Sequence, residues 1–152
     1  MEKYPGRLRA SVAAMNLRLS HTFLFVRDQD EALDFYTRVL GMEPRTDAQL
    51  EHMRWLTVGP PDQPDVEINL YAPGPPMPPD DAEAVRQLLA KGSLGTLIFR
   101  TDDCRSAFAR VVEAGAEVLQ EPIEQSYGVL DCAFRDPSGN HIRIGQELAP
   151  AG

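Results

Sequence analysis

Residues able to act on a small molecule recur in this chain at every second position of short apolar runs. His21, Phe23 and Phe25 alternate with Thr22, Leu24 and Val26, and Glu67, Asn69 and Tyr71 alternate with Val66, Ile68 and Leu70. Farther on, Thr96, Ile98 and Arg100 alternate with Leu97, Phe99 and Thr101, and His141 and Arg143 with Ile142 and Ile144. An imidazole titrates near neutral pH and can serve as acid, base or hydrogen-bonding wall. Arg100 and Arg143 suit an anionic group. Phe23, Trp55, Tyr71 and Tyr127 can stack on a planar ligand. Core packing is the competing use of those rings, and a structural ion pair the competing use of the arginines. His52 and His141 read as surface or rim residues. Cys104 follows a helix cap that could sharpen its thiol, but a buried inert thiol is the plainer reading.

A period of two belongs to strands, whose side chains point alternately to opposite faces. Leu17 to Arg27 reads as the first strand. Asp28 can cap a helix, with Glu31 placed to reach back as the second half of a capping box. Ala32, Leu33, Phe35, Tyr36, Val39 and Leu40 recur at helical spacing, and Gly41 supplies the left-handed stop. Three strands are expected next, over Glu43–Asp47, Gln49–Val58 and Val66–Tyr71. The stretch APGPPMPP from Ala72 to Pro79 is a semi-rigid linker, because proline lacks the amide donor. Asp80–Lys91 predicts a helix ended by Gly92.

The order then repeats. Leu94–Thr101 is a strand, and Asp103 caps a helix that ends at Gly115. Ala116–Gln120, Val129–Phe134 and His141–Ile144 complete the set, with a turn over Asp136-Pro137-Ser138-Gly139-Asn140. His21 falls on Thr96 and Asp28 on Asp103 at one offset, and Glu67 on Arg143 at an offset one residue longer. The expected fold is therefore α+β, two βαβββ modules forming incomplete barrels around a cavity. Residues 17–71 and 94–147 are the modules, 72–93 the linker and helix, 1–16 an extension and 148–152 a tail. In each strand the aliphatic set suits packing under a helix. The mixed set suits a concave wall of apolar surface with a few polar groups; solvated sheet surface is its competing use. The same polarity split in both halves favours the cavity.

Composition narrows the function class. The 152 residues carry 15 Lys and Arg against 23 Asp and Glu, a formal charge of −8. Such a surface repels phosphate backbones, so nucleic acid is excluded as an expected partner. No apolar run approaches the ~20 residues a membrane helix needs. Two cysteines, Cys104 and Cys132, form neither a disulfide framework nor a zinc site. Reduced thiols point to the cytoplasm. Residues 1–16 lack the apolar core and cleavage site of a signal peptide and could form a short frayed helix.

The chain resembles the vicinal oxygen chelate superfamily of glyoxalase I, bleomycin- and fosfomycin-resistance proteins and extradiol dioxygenases. The matching residues are Ser20-His21-Thr22, Arg27-Asp28, Ala32-Leu33-Asp34-Phe35-Tyr36 and Val39-Leu40-Gly41-Met42. In the second half they are Ala114-Gly115-Ala116 and Phe134-Arg135-Asp136-Pro137-Ser138-Gly139-Asn140. The likeness runs from Leu17 to Glu147. Metal-dependent members place one ligand on the first and last strand of each unit, which maps onto His21, Glu67, Thr96 and Arg143. His21 and Glu67 fit that chemistry. Thr96 stands where histidine is common, and Arg143, where glutamate is common, has no lone pair for a cation. Two ligands and a guanidinium make a poor divalent site. These departures from the family pattern point to a protein without a metal cofactor, in which Arg143 pairs with Glu67 across the cavity in place of the metal's charge.

Three functions remain open on this reading. One is a binding protein for a small aromatic or anionic ligand, with Phe23, Phe25, Trp55, Asn69, Tyr71, Thr96, Arg100 and Tyr127 at the ligand. Another is a lyase, isomerase or dioxygenase acting on vicinal oxygens, with Fe, Mn, Zn, Ni or Mg on His21, Glu67 and a third group such as Glu51. The last is metal-free catalysis with His21, Glu67 and Arg143 as the catalytic set. Thr96 and Arg143 weigh against the second. Half-units expose edge strands that a partner can cover, so a homodimer exchanging halves is expected.

Overall fold

The computed structural model describes residues 15–149. The expected extension and tail lie largely outside that range. Two four-stranded sheets carry the fold. In the first, β1 (His21–Phe25), β4 (Glu67–Tyr71), β3 (Arg54–Gly59) and β2 (Glu43–Gln49) lie side by side in that order; the second repeats it as β5 (Thr96–Arg100), β8 (His141–Glu147), β7 (Val129–Arg135) and β6 (Glu117–Glu124). The first and last strands of each unit run parallel, in register from His21 with Glu67 and from Thr96 with His141. Neither sheet closes into a barrel. The two βαβββ modules match the expected α+β fold.

Helix α1 (Gln29–Asp34) connects β1 to β2, and α3 (Cys104–Glu113) connects β5 to β6. Asp28 accepts from Glu31 N at 2.9 Å and Asp103 from Ser106 N at 3.0 Å, so both caps form. Glu31 does not complete the capping box. Its carboxylate takes Arg27 at 2.6 Å, since a guanidinium is a stronger partner than a backbone amide. Past Asp34 the helix widens into a π-turn, Phe35–Val39, where Leu40 N donates to Phe35 O at 3.1 Å. The wider turn lets Phe35, Tyr36 and Val39 all turn inward. Gly41, at φ +74°, then reverses the chain.

Several expected boundaries move. The strand expected over Gln49–Val58 begins at Arg54, because residues 50–53 turn the chain and Leu50 N bonds to Met53 O at 2.8 Å. The β6 strand expected to end at Gln120 runs on to Glu124, where a register shift absorbs Pro122 as a bulge. The first strand is shorter than Leu17–Arg27, since Leu17 and Leu19 have no core to enter and stay exposed. Helix α2 is Pro79–Ala90, with proline at its first position where a missing amide costs nothing.

One face of each sheet is dry. Leu24, Val26, Leu56, Val58, Ile68 and Leu70 pack under α1, and Leu130, Cys132, Phe134, Ile142 and Ile144 under α3. The turn at residues 136–140 joins the modules on the helical side. Asp136 is buried and accepts from Tyr36 Oη at 2.7 Å and from three backbone amides of its own turn at 2.8–2.9 Å. Ser138 Oγ takes Arg27 N at 2.9 Å, and Asn140 Nδ2 reaches Phe25 O at 2.8 Å. Gly139 is required here, because at φ +114° an added Cβ would meet the Leu89 carbonyl oxygen of α2. No helix among the described residues is long and apolar enough to cross a membrane.

Candidate functional site

The mixed face of the first sheet gathers most of the chemistry. The β1/β4 register sets His21 beside Glu67, Phe23 beside Asn69 and Phe25 beside Tyr71. On β3, Thr57 lies opposite Asn69, which puts Trp55 on the same face. The rings touch in series: His21–Trp55 at 5.9 Å, Phe23–Trp55 at 5.8 Å, Phe23–Tyr71 at 5.9 Å and Phe25–Tyr71 at 5.5 Å. Phe23 is 56% exposed, costly for a ring with no further partner. His21 Nε2 lies 3.3 Å from Glu67 Oε2. Thr57 Oγ1 donates to Glu67 Oε1 at 2.6 Å and accepts from Thr46 N at 3.0 Å, so the carboxylate is held in one orientation. Sequence reasoning missed Thr57. Its position between Leu56 and Val58 in an alternating run is the signal that places it on this face.

The corresponding face of the second sheet is ionic. Arg143 Nη2 lies 2.9 Å from Asp131 Oδ2 and donates to Gln120 Oε1 at 2.9 Å. Arg143 therefore does not pair with Glu67. Asp131 is one strand away on the same sheet, and a buried carboxylate needs the guanidinium more than a half-exposed one does. Gln120 and Gln125 also donate to Asp131 Oδ1, each at 2.9 Å. Arg100 lies 2.6 Å from Glu147, and Thr96 and Ile98 are exposed. Tyr127, 67% exposed, sits in the β6–β7 turn of this second unit and stands apart from the ring series. His141 is half-buried, 3.3 Å from Arg143. Burial, then the Arg143 and Arg135 charges, lower its pKa. His52 lies exposed in the β2–β3 turn.

Burial alone would raise the Asp131 pKa, but the hydrogen bonds from Gln125, Arg143 and Gln120 together outweigh it and bring it below 3.8. A pKa lowered by folding adds stability that is full above the unfolded value and is lost as pH falls through the folded value. Arg143→Ala is expected to shift the midpoint of acid unfolding to higher pH, read by circular dichroism.

Within one chain the described donor set falls short of the three protein ligands that a catalytic divalent site usually keeps. His21 and Glu67 come together, but among the described residues no group of three His, Cys, Asp or Glu does. Glu51, offered as a third ligand, is exposed in the β2–β3 turn beside His52. The cysteines lie elsewhere, under α3, with sulfurs 3.7 Å apart and both fully buried. Burial pushes both thiols up, Cys132 to about 12. Both are expected to stay silent to Ellman's reagent at pH 8 until the protein is unfolded. A groove of about 660 Å³ also lies between the modules on the helical side, past Phe35, Val39 and Leu89, and none of the sequence-selected site residues lines it.

Comparison with known proteins gives concordant results. A family model described as the Glyoxalase/Bleomycin resistance protein/Dioxygenase superfamily matches residues 18–144. The uncharacterised protein YurT of Bacillus subtilis (strain 168) is 33% identical over 132 residues, which are 86% of this chain and all of YurT. The crystal structure of UcmS2 superposes with a TM-score of 0.80 at 39% identity, over 86% of this chain and 98% of that one. That of TnmS3, an antibiotic binding protein from Streptomyces sp. CB03234, superposes with a TM-score of 0.70 at 32% identity, over 89% and 99%.

Proposed function

This chain belongs to the glyoxalase/bleomycin resistance protein/dioxygenase superfamily, and from that premise we propose that it binds a planar aromatic small molecule against the first sheet without a resident metal. The observation that carries the reading is the ring series from His21 to Phe25, continuous on one face and open at Phe23. The rings meet tilted or edge-to-face, at 55–82°, which leaves ring surface free for a planar guest to lie against, and His21 and Glu67 give that apolar wall one polar corner. The likeness to TnmS3, an antibiotic binding protein, supports a small-molecule ligand. The formal charge of −8 argues against nucleic acid. A cytoplasmic setting, where both thiols stay reduced, fits this reading.

The hollow is completed by a second copy. Each sheet leaves its mixed face open, and Ile98, 71% exposed, and Ile123 on the second sheet match Phe23 on the first as unburied apolar surface. Pairing the first sheet of one protomer with the second sheet of the other brings Thr96, Arg100 and Arg143 to the ligand. Light scattering should give twice the monomer mass.

Trp55, the single tryptophan, reports on the site directly. Titration with planar aromatic dyes is expected to quench its emission saturably, in protein purified without chelator that carries no stoichiometric metal. One tightly held divalent ion per chain would instead favour lysis, isomerisation or dioxygenation of a substrate with vicinal oxygens. The His21–Glu67 approach at 3.3 Å is the observation on that side.

A further inference from the structure

Asn69 lies in the middle of the aromatic face and is fully buried, 0% exposed. Neither its Oδ1 nor its Nδ2 has a hydrogen-bond partner among the described residues. Buried carboxamides are almost always satisfied, and an orphaned one needs a reason. The neighbours explain how it is sealed. Phe23 on β1 and Trp55 on β3 flank β4, and those two outer strands are ~9.6 Å apart. Their ring centroids are only 5.8 Å apart, so the rings lean together over the strand between them. Phe23 is paired in register with Asn69. Thr57, on its other side, spends its hydroxyl on Glu67 and leaves the amide unanswered.

We infer that Asn69 is the specificity-determining residue of this site and that it reads a lactam, imide or amide edge on the aromatic ligand. A carboxamide presents one acceptor and one donor side by side. Its complement is a molecule with an N–H and a C=O adjacent, which pairs with both atoms at once. A simple hydrocarbon would leave both unpaired, and a phenol, with a single hydroxyl, would answer only one of them. The Phe23 and Trp55 rings must part for such a ligand to enter, and they then lie against its two sides. The equivalent position in the second module is Gly145, so only the first sheet offers this reader.

This inference rests on the binding reading above, and two measurements separate them. In thermal melts without ligand, Asn69→Leu is expected to raise Tm by a few degrees, because an apolar isostere removes an unmet polar group. Asn69→Val repeats the comparison with a strand-favouring residue, in case leucine does not fit. A fall in Tm for both variants would mean that the amide is satisfied within the fold, and would overturn the inference.

The second measurement uses 1,8-naphthalimide and its N-methyl derivative, followed by Trp55 quenching. Wild type is expected to bind the N–H compound about tenfold more tightly than the N-methyl one. Asn69→Leu should reduce that preference to under about threefold while still binding the N-methyl compound. Equal binding of both compounds by wild type would overturn the role of Asn69 and leave the binding reading standing. Binding of neither would overturn both.

Discussion

Asp136→Ala is expected to cost about 3–5 kcal/mol of unfolding free energy, enough to erase much of the stability of a domain this size. The carboxylate is only 3% exposed and ties together two layers. One oxygen collects the amides of Ser138, Gly139 and Asn140, and the other takes Tyr36 Oη at 2.7 Å and Asn140 Nδ2 at 2.9 Å. Alanine leaves those donors buried without an acceptor, and each unmet donor costs on the order of 1–3 kcal/mol. Burial, together with the Asp136 charge and its hydrogen bond, holds the Tyr36 hydroxyl well above pKa 10, so it stays a donor across the working pH range. Tyr36→Phe removes one bond of the set and should cost about 1–2 kcal/mol. Urea unfolding checks both. A loss below about 1 kcal/mol in Asp136→Ala would mean that the turn is held by its backbone alone.

Phe23→Ala is expected to weaken dye binding tenfold or more, because a ring stacked on a flat guest contributes about 1–3 kcal/mol. The same change should barely move stability. Phe23 is more than half exposed and loses only two edge contacts, to Trp55 and Tyr71. That contrast separates a binding ring from a core ring, which would cost about 3–5 kcal/mol when cut to alanine. Leu88→Ala, on the exposed side of α2, serves as control and should leave dye binding unchanged. Equal losses of affinity in both variants would point to a general effect on the fold.

The backbone was largely legible in the sequence, because its signals are local. Asp28 and Asp103 advertise helix starts, Gly41, Gly92 and Gly115 advertise stops, and all three glycines adopt positive φ. The alternation in β1, β4 and β8 sorts wet from dry faces without reference to the rest of the chain. Side-chain pairing was less legible. Arg143 was expected on Glu67, and nothing local shows that Asp131 stands nearer once β7 and β8 pair. The strand periodicity places Asp131 on that face, but only the register of Asp131 with Gly145 sets it beside Arg143. Asn69 was selected as a ligand residue from its place in the alternation, whereas its lack of any partner is a property of packing. The extent of β6 was hidden because Pro122 reads as a breaker and is absorbed by a bulge.

The two repeats place unlike pairs at equivalent points. Where the first carries Thr57 and Glu67 beneath a row of rings, the second carries Asp131 and Arg143 amid glutamines. In the proposed dimer every hollow has one jaw of each kind, never two alike. Under that proposal, a guest with one carbon-rich and one polar flank has one favoured way round, the first flank on the ring-lined jaw and the second on the other. Selection between ligands of equal size and shape then depends on how polarity is distributed across the molecule.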